Sequence, residues 1–338
     1  MSDVRAKLEG LLGTAGVAAS APGAPPIACP ASDEEVAETI RLAARERWKL
    51  LPCGFGTDPA GDLRLSTRRL AGVVAYEPGD GTLSARAGTS MAELERVARE
   101  GGNHLTPRVA APERSTLGGV LASGRSGIDR LRYGPARHHV LGMRVALADG
   151  TLARSGGRLV KNVTGYDMHR LWCGSRGSLC VVLEATLRLF AGFEREVLVT
   201  VPARDRASAT ATALAAEALG VQPLGILAED VLDPGGAWRV HVLLAGRAGL
   251  VEWGRRRVLE GLPGAVEGAE LIERLRDAEL LPGARLAVEP SIGLSWISRE
   301  GGAPAPRAPG PAAALCERLK RTFDPEGLFA AGVPATSS

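Results

Sequence analysis

A short stretch with two glycines, Cys53-Gly54-Phe55-Gly56-Thr57-Asp58, follows a predicted strand at residues 49–52. Glycines at the end of a strand let backbone N–H groups converge on an anion such as a pyrophosphate, and Thr57 adds a hydroxyl donor. The stretch lacks the third glycine of the G-x-G-x-x-G dinucleotide fingerprint, and no Gly-Lys-Ser/Thr follows as in a P-loop. We interpret it as a candidate anion-binding loop, and an ordinary turn is the competing interpretation.

A second group of glycines and hydroxyl side chains lies within and just after a predicted loop at residues 103–127. Long glycine-rich loops in compact domains are usually functional, and small residues let a flat ring system lie against the backbone. A mobile surface loop is the alternative interpretation. The candidate ligand-binding residues of this group are Thr116, Leu117, Gly118, Gly119, Ser123, Gly124, Gly127, Tyr133 and Gly134.

A third stretch contains a Lys161-Asn162 pair and a Gly165-Tyr166-Asp167 turn before a short predicted helix. Gly165 permits the chain reversal, and Tyr166 offers a rigid amphipathic wall. Asp167 is in position to cap the helix that follows, which is also its simplest role. Lys161 is a cation that could pair with a carboxylate.

Histidines and cysteines are few and scattered. Of the five histidines, only His241 lies beyond residue 190, on a predicted strand between Val240 and Val242. A lone strand histidine more often has a structural than a catalytic role. The five cysteines show neither a C-x-x-C pattern nor a zinc-ligand spacing. The sequence therefore predicts no metal site, and no general base in its second half.

Composition and charge favour a soluble, intracellular protein. Hydrophobic residues make up 45% of the chain, enough for a sizeable core, and the net charge of +3 does not suggest nucleic acid or an anionic membrane as a partner. The N-terminus carries no secretory leader, and no stretch of about 18 uninterrupted apolar residues predicts a membrane span. We expect a cytoplasmic chain, peripheral to the inner membrane at most through a complex.

The elements predicted to position these residues follow two patterns. The first begins with a strand-helix-strand unit whose strands should be parallel, with a capping box of Ser32 and Glu35 at the start of the helix. Short strands follow it, and Asp149-Gly150 predicts a hairpin turn. Beyond residue 194, strands and helices alternate in an order that suggests a ferredoxin-like layer. The predicted strands are 26–29, 49–52, 71–76, 83–87, 140–148, 151–155, 179–190, 196–201, 224–229, 238–245 and 285–289, and the later predicted helices are 205–218, 247–260, 268–279 and 311–322.

Seven motifs occur in a characteristic order and spacing. They are the glycine loop at 53–58, AGTSMAEL at 87–94, TLGG at 116–119, YG at 133–134, VLGMRVALADG at 140–150, KNVTGYD at 161–167 and GSRGSLCVVLEATLRL at 174–189. Together they resemble the FAD-binding domain of the vanillyl-alcohol oxidase/p-cresol methylhydroxylase superfamily, and KNVTGYD is most similar to the E subunits of three-subunit bacterial glycolate oxidases. The resemblance is strong over residues 26–190. It returns at FDPEGLF (323–329), where the family usually continues Asn-Pro-Gly and this chain has Ala330-Ala331-Gly332.

The resemblance implies an α+β fold with a two-part FAD-binding domain of the vanillyl-alcohol oxidase type at 26–192 and a small α+β cap domain at 193–295. An N-terminal extension at 1–25 precedes them, and a linker with a C-terminal helix and tail at 296–338 returns to the FAD domain. The FAD would be held non-covalently, because Cys53 has no activating neighbour and is interpreted as a packing residue.

The resemblance also implies roles for individual residues. Lys161-Asn162 and Gly165-Tyr166-Asp167 would close the pocket near the flavin, where Lys161 could also face the electron-rich edge of the ring. Backbone from Gly174 to Leu179 would lie against the cofactor. Candidates for a catalytic role are Lys161, Tyr166 and His241. The implied cofactor-binding residues are Cys53, Gly54, Phe55, Gly56, Thr57, Asp58, Pro107, Thr116, Leu117, Gly118, Gly119, Ser123, Gly124, Gly127, Tyr133, Gly134, Lys161, Asn162 and Gly177.

The implied function is that of a flavin-binding subunit of a glycolate oxidase-type complex, which passes electrons from a 2-hydroxy acid such as glycolate or D-lactate through the flavin to a partner. The implied partners are a larger FAD-containing catalytic subunit and an iron–sulfur subunit, because this chain has no iron–sulfur cysteine run. Two alternatives stay open: a self-sufficient FAD-dependent 2-hydroxy-acid dehydrogenase, and a non-catalytic scaffold subunit.

Overall fold

The structure is a computed structural model that describes residues 2–21, 23–54, 61–109, 111–157, 165–230, 238–267, 285–289, 294–298 and 312–330. The described strands form a four-stranded, a five-stranded and a six-stranded sheet, together with one two-stranded pair. Within these ranges, no helix has both the length and the apolar character needed to cross a bilayer.

The N-terminal layer is a mixed four-stranded sheet packed with two helices. Its elements are α1 (Ser2–Leu12), β1 (Val17–Ala18), β2 (Ile27–Ala28), α2 (Asp33–Arg45), β3 (Leu50–Cys53) and β4 (Leu63–Ser66). The strand order is β1-β2-β4-β3, with β4 parallel to both β2 and β3. The Ser32 hydroxyl caps α2 by accepting a hydrogen bond from the Glu35 N–H (3.1 Å), as its sequence predicts. The predicted parallel strands are present, but an unpredicted strand, β4, lies between them.

Residues 2–12 form a helix rather than the irregular extension that their sequence suggests. Leu8 is fully buried in the core of the N-terminal layer, and Lys7 pairs with Glu46 at the end of α2 (2.7 Å). A helix of 11 residues is marginal in isolation. Packing against α2 therefore stabilises it.

The five-stranded layer is antiparallel. Its elements, with the separate strand pair β7 and β11, are β5 (Val73–Glu77), β6 (Thr82–Arg86), α3 (Met91–Glu100), β7 (Asn103–His104), α4 (Leu117–Ser123), α5 (Arg130–Tyr133), β8 (Val140–Ala146), β9 (Leu152–Gly156), α6 (Met168–Trp172), β10 (Val181–Arg188) and β11 (Phe190–Ala191). The strand order is β5-β6-β10-β8-β9. One face packs against α3, α4 and α6, and the other contacts the N-terminal layer through Ala146, Val181 and Leu183.

Helix α4 lies inside the stretch predicted as a glycine-rich loop. Thr116 caps it by accepting a hydrogen bond from the Gly119 N–H (3.1 Å). Gly118 lies in its first turn, where an added Cβ would be 2.8 Å from the Cβ of Ala87. The glycine therefore serves close packing of the helix on the sheet, and the loop prediction is wrong for residues 117–123.

The six-stranded layer follows in sequence. Its elements are β12 (Arg195–Ala203), α7 (Arg206–Ala218), β13 (Gly225–Asp230), β14 (Trp238–Gly246), α8 (Ala248–Gly261), β15 (Val266–Glu267), β16 (Arg285–Glu289) and β17 (Leu294–Ser298). The strand order is β15-β12-β14-β13-β17-β16. The part from β12 to β15 has the ferredoxin-like βαββαβ arrangement that the order of predicted elements suggests, and β17 extends it by pairing parallel to β13.

The two faces of the six-stranded layer have different neighbours. Val242 and the residues around it form a core with α7 and α8. On the opposite face, Leu227 and Leu243 share a hydrophobic cluster with Ile128 of the five-stranded layer. The contact is close, since a Cβ added to Gly225 would lie 2.1 Å from the Ile128 carbonyl oxygen. This second face is the one turned toward the five-stranded layer.

The last described segment runs back to the N-terminal layer. Helix α9 (Ala312–Phe323) leads into a turn, after which Phe329 forms a parallel bridge with Leu50 of β3. The Leu50 N–H donates to the Leu328 carbonyl (2.9 Å), and the Ala330 N–H donates to the Leu50 carbonyl (2.8 Å). The described chain therefore closes against β3. The predicted helix at 268–279 lies outside the described residues.

Candidate functional site

The end of β3 lies against the start of α4. A Cβ built on Gly54 would be 2.3 Å from the Thr116 Oγ1, so a side chain does not fit there unless the backbone shifts. The Gly54 carbonyl accepts a hydrogen bond from the Ser66 hydroxyl (3.0 Å), which fixes the strand end. Two of the stretches predicted to bind a cofactor thus meet in direct contact.

The loop after α6 lies between the other end of α4 and β3. The Gly174 N–H donates to the Leu121 carbonyl (2.8 Å), and a Cβ added to Gly124 would be 3.1 Å from the Gly174 Cα. A Cβ on Gly177 would be 3.2 Å from the Pro52 side chain. Gly124, Gly174 and Gly177 have φ angles of +65°, +88° and +74°, which residues with side chains rarely adopt.

We refer to Gly54, Thr116, Gly124, Gly174 and Gly177 as the glycine cluster. It gathers three separate parts of the sequence around β3 and the two ends of α4. Gly54 and Gly124 are half-buried and Gly174 is exposed, so the cluster reaches the surface. Backbone without side chains can approach a ligand closely, and its N–H groups can face an anion.

Ser175 adds a buried hydroxyl within the loop of the glycine cluster. Its Oγ is shielded from solvent and has no hydrogen-bond partner among the described residues, and the same holds for Thr106 Oγ1 and Trp172 Nε1. A buried polar group left unpaired destabilises a protein by about 1–3 kcal/mol. Such atoms therefore fit a ligand that completes their hydrogen bonds, for example with phosphate or hydroxyl oxygens. The sequence predicts that the Ser175 backbone lies near the cofactor, but it gives no sign of the unpaired hydroxyls of Ser175 and Thr106, because no motif signals an unpaired hydroxyl.

Several other predicted site residues make packing contacts, and their role in cofactor binding stays a prediction. Leu117 is fully buried in the core, and a Cβ on Gly127 would lie 1.8 Å from the Arg108 carbonyl oxygen. The Ser123 hydroxyl donates to a carbonyl of its own helix (3.1 Å). Together with Gly118, these residues shape the backbone near the glycine cluster.

Pro107 follows Thr106 through a cis peptide bond. The backbone just after it is fixed by Asp129, whose fully buried carboxylate accepts the Arg108 N–H at 3.0 and 3.1 Å. His104 Nε2 lies 3.5 Å from the same carboxylate. Asp129 therefore holds the segment that carries Pro107.

Tyr133 lies in a group of aromatic rings rather than in the glycine cluster. Its ring centroid is 4.2 Å from that of Phe190 and 5.5 Å from that of His104. Burial raises the pKa of its hydroxyl, so the group stays neutral at physiological pH. Gly134 follows it with a φ of +77°, as a residue that ends a short helix.

His241 lies in a buried polar triad with Thr200 and Glu229, on the face of the six-stranded layer that carries Leu243. Its Nδ1 is 2.9 Å from the Thr200 hydroxyl oxygen, and its Nε2 is 3.1 Å from a Glu229 carboxylate oxygen. The histidine is only 2% exposed. With the hydroxyl as donor and the carboxylate as acceptor, both nitrogens of a neutral imidazole are occupied. A proton acceptor needs a free nitrogen within reach of its substrate, so this geometry favours a structural role.

The third predicted stretch is only partly described. Tyr166 is 92% exposed, and its carbonyl accepts a hydrogen bond from the Ser155 hydroxyl (3.3 Å). Asp167 precedes α6, but its carboxylate makes no capping bond and pairs instead with Arg170 (3.1 Å), so the predicted cap is wrong. The predicted site residues outside the described ranges are Phe55, Gly56, Thr57, Asp58, Lys161 and Asn162.

The cysteines near the glycine cluster are buried or half-buried, which makes their thiols unreactive. Burial raises the pKa of the Cys53 thiol to about 11 and that of the Cys173 thiol to about 11. Such thiols are protonated at neutral pH and are poor nucleophiles. Both fit packing roles. In the part of the chain that the structure describes, no three His, Cys, Asp or Glu residues are grouped so as to hold a metal ion.

Comparison with known protein families gives a match in the first half of the chain. A family model described as the FAD binding domain matches residues 24–156, which include Gly54, Thr116 and Gly124. The chain contains an FAD binding domain. The prediction of FAD as the cofactor is thereby confirmed, whereas its non-covalent attachment stays a prediction.

The chain also has relatives among known dehydrogenases and oxidases. It is 36% identical over 170 residues to the D-2-hydroxyglutarate dehydrogenase of Xanthomonas citri pv. viticola, and 29% identical over 170 residues to the glycolate oxidase subunit GlcD of Bacillus subtilis. Each match covers 48% of this chain and 36% of the relative. A D-lactate dehydrogenase of Archaeoglobus fulgidus is 29% identical over 180 residues, which are 51% of this chain and 40% of that protein. The matched region thus spans less than half of each relative.

Solved structures extend the likeness beyond the FAD binding domain. An alkyldihydroxyacetonephosphate synthase superposes with a TM-score of 0.72 over 97% of this chain and 84% of its own, at 15% identity. Substrate-bound p-cresol methylhydroxylase gives a TM-score of 0.63 over 79% of this chain and 65% of its own, at 14% identity. These likenesses confirm the predicted α+β fold of the vanillyl-alcohol oxidase/p-cresol methylhydroxylase type.

Proposed function

We propose that this chain is an FAD-dependent oxidoreductase that acts on a 2-hydroxy acid. The observation that carries the proposal is the glycine cluster with the unpaired Ser175 hydroxyl, next to strands of the FAD binding domain. The named relatives are dehydrogenases of D-2-hydroxyglutarate and D-lactate and a glycolate oxidase subunit. Their substrates share a hydroxyl group beside a carboxylate, which gives the proposed substrate class.

In this proposal the glycine cluster holds the phosphate part of the cofactor. Gly54 and Gly174 would let the backbone approach the anion closely, and the Ser175 hydroxyl would be the donor available to it. Bound FAD supplies a hydride acceptor, while the protein orients it and excludes water. Lys161 provides a cation suited to a substrate carboxylate, and Asn162 beside it adds an amide.

The Thr200–His241–Glu229 triad supports a subunit role over a complete enzyme. A general base must reach the substrate hydroxyl with a free acceptor atom, and both ring nitrogens of His241 have partners. We propose that the chain supports electron transfer in a glycolate oxidase-type complex. Its partners would be a larger FAD-containing subunit that oxidises the acid and an iron–sulfur subunit that takes the electrons onward. The complex would work in the cytoplasm or at the inner face of the membrane.

The test compares the chain purified alone with the chain co-expressed with its genomic neighbours. We expect FAD in both preparations, and reduction of an artificial acceptor by glycolate or D-lactate that rises strongly when the partners are present. Turnover by the isolated chain at about 1 s⁻¹ or faster, within the ordinary enzyme range, would instead support a self-sufficient dehydrogenase. A folded chain that takes up no FAD would support a scaffold.

A further inference from the structure

Lys320 of α9 joins three segments of the chain. Its ammonium donates to the Ser178 carbonyl (2.8 Å) and to the Phe329 carbonyl (2.9 Å), and it pairs with the Asp324 carboxylate. The Asp324 side chain is fully buried and accepts hydrogen bonds from the N–H groups of Leu328 (2.6 Å) and Phe329 (2.9 Å). One cation therefore neutralises a buried carboxylate and satisfies two carbonyl groups at once.

The acceptors at Asp324 and Phe329 belong to the C-terminal hook, which we define as residues 324–330. The hook pairs along β3 through the hydrogen bonds at Leu50 described above. Strand β3 continues directly into Gly54 of the glycine cluster. The position of the hook therefore affects the position of β3 and of Gly54 at its end.

The remaining acceptor, Ser178, lies in the loop after α6, which packs on β3 and contributes Gly174 and Gly177 to the cluster. It directly follows Gly177, which packs against Pro52 of β3. The Ser178 N–H and hydroxyl also donate to the Ser175 carbonyl, at 3.0 and 2.6 Å, so the Lys320 contact reaches the residue with the unpaired hydroxyl. The lysine thus contacts the loop directly and β3 through the hook.

We infer that Lys320 is a positioning residue for FAD binding. It holds β3 and the Gly174–Gly177 loop at the spacing that the cofactor needs, and it acts through these segments rather than by touching the cofactor. The inference rests on the proposed function, because it requires that the FAD binding domain holds FAD. It adds that a residue of α9, far along the chain from that domain, helps to keep the cofactor bound.

The experiment measures the dissociation constant of FAD from the full-length apoprotein by flavin fluorescence, together with thermal unfolding of the apoprotein. Lys320→Met should raise the Kd at least about tenfold, since hydrogen bonds to charged groups contribute about that factor or more. Lys49→Met is the matched control. Lys49 donates to the Gly327 carbonyl of the same hook (2.6 Å) but makes no contact with the loop at Ser178. The Kd of FAD for the Lys49→Met variant should stay within about twofold of the wild-type value, as for most substitutions at exposed positions.

A second variant separates positioning from simple loss of stability. Lys320→Met combined with Asp324→Asn removes the buried uncompensated charge, so thermal stability of the apoprotein should recover in part while FAD binding stays weak. Wild-type Kd in Lys320→Met, or recovery of FAD affinity in the double variant, would overturn the inference. Failure of the proposed oxidoreductase function would look different, because FAD binding would be normal and turnover absent.

Discussion

The glycine cluster and the Thr200–His241–Glu229 triad both bring polar atoms together, but they differ in how those atoms are paired. In the triad, both ring nitrogens of His241 have partners within 3.1 Å. In the loop of the glycine cluster, the buried Ser175 hydroxyl has no partner in the described part of the chain. Buried polar groups are almost always paired, and an unpaired one destabilises the fold unless a ligand completes it. The glycine cluster therefore retains an unpaired buried hydroxyl with which a ligand could bond, whereas the contacts of His241 already pair both of its ring nitrogens.

The largest change in FAD affinity is expected from a substitution in the glycine cluster. Gly54→Ala places a Cβ 2.3 Å from the Thr116 Oγ1. Relief of this clash requires a backbone shift, and overpacking typically involves about 1–3 kcal/mol. Where that energy opposes the backbone position needed by bound FAD, the Kd rises by up to about 100-fold. FAD titration of the apoprotein measures it. Gly79→Ala is the matched control, because nothing lies within 4 Å of its added Cβ. If the two variants bind FAD with equal affinity, the glycine cluster is not the binding site of the cofactor.

A substitution in the triad should lower the stability of the protein without changing its affinity for FAD. His241→Ala removes one buried hydrogen bond of Thr200 and one of Glu229, so we expect the free energy of unfolding to fall by about 2 kcal/mol while the Kd for FAD is unchanged. Chemical denaturation of the apoprotein and FAD titration measure the two quantities. An unchanged unfolding free energy combined with lost turnover in the FAD-loaded protein would make His241 a catalytic residue and remove the contrast.

Ser175→Ala should have effects of opposite sign on FAD binding and on the stability of the apoprotein. Loss of one hydrogen bond to the cofactor should weaken FAD binding by about 0.5–1.5 kcal/mol, or several-fold in Kd, whereas loss of an unpaired buried hydroxyl should make the apoprotein slightly more stable. Ser178→Ala is the control, since that hydroxyl is already bonded to the Ser175 carbonyl (2.6 Å). If Ser175→Ala destabilises the apoprotein and leaves the Kd unchanged, the hydroxyl has a structural role.

The smallest effect is expected at Cys53. Its pKa of about 11 keeps the thiol protonated, so it should form no bond to the flavin. Cys53→Ala should change FAD affinity by less than about 0.5 kcal/mol, as a substitution without a specific contact. Acid precipitation of the wild-type and variant proteins should leave the flavin in the supernatant. A peptide that carries flavin on Cys53 or Cys173 would contradict non-covalent binding.

Sequence predicted those features whose partners lie within a few residues. Ser32 accepts the Glu35 N–H (3.1 Å) at the start of α2, as its capping pattern indicates. The Asp149-Gly150 turn is present, with Gly150 at a φ of +78° and the Asp149 carboxylate bound to the Thr151 N–H (2.8 Å). The structural role that the sequence favours for His241 stays a prediction, and the partners of both ring nitrogens support it.

Features that depend on distant contacts were not predictable. Helix α1 is stabilised where Leu8 packs on the N-terminal layer, and β4 has neighbours on both sides in the sheet. Gly118 looks like a loop residue in sequence, yet it lies in the first turn of α4, where the absence of a side chain lets the helix pack against Ala87. The unpaired state of the Ser175 hydroxyl is a property of its surroundings in space, and no local pattern encodes it.

The bridge between Leu50 and Phe329 also has a consequence for how the molecule is made. A ribosome that adds about 5–20 residues per second delivers Phe329 roughly 15–60 s after Leu50. All described strands of the six-stranded layer are synthesised in that interval. The side of β3 that the hook occupies therefore has no hook to pair with until the six-stranded layer has been synthesised, so the N-terminal layer is completed after that layer.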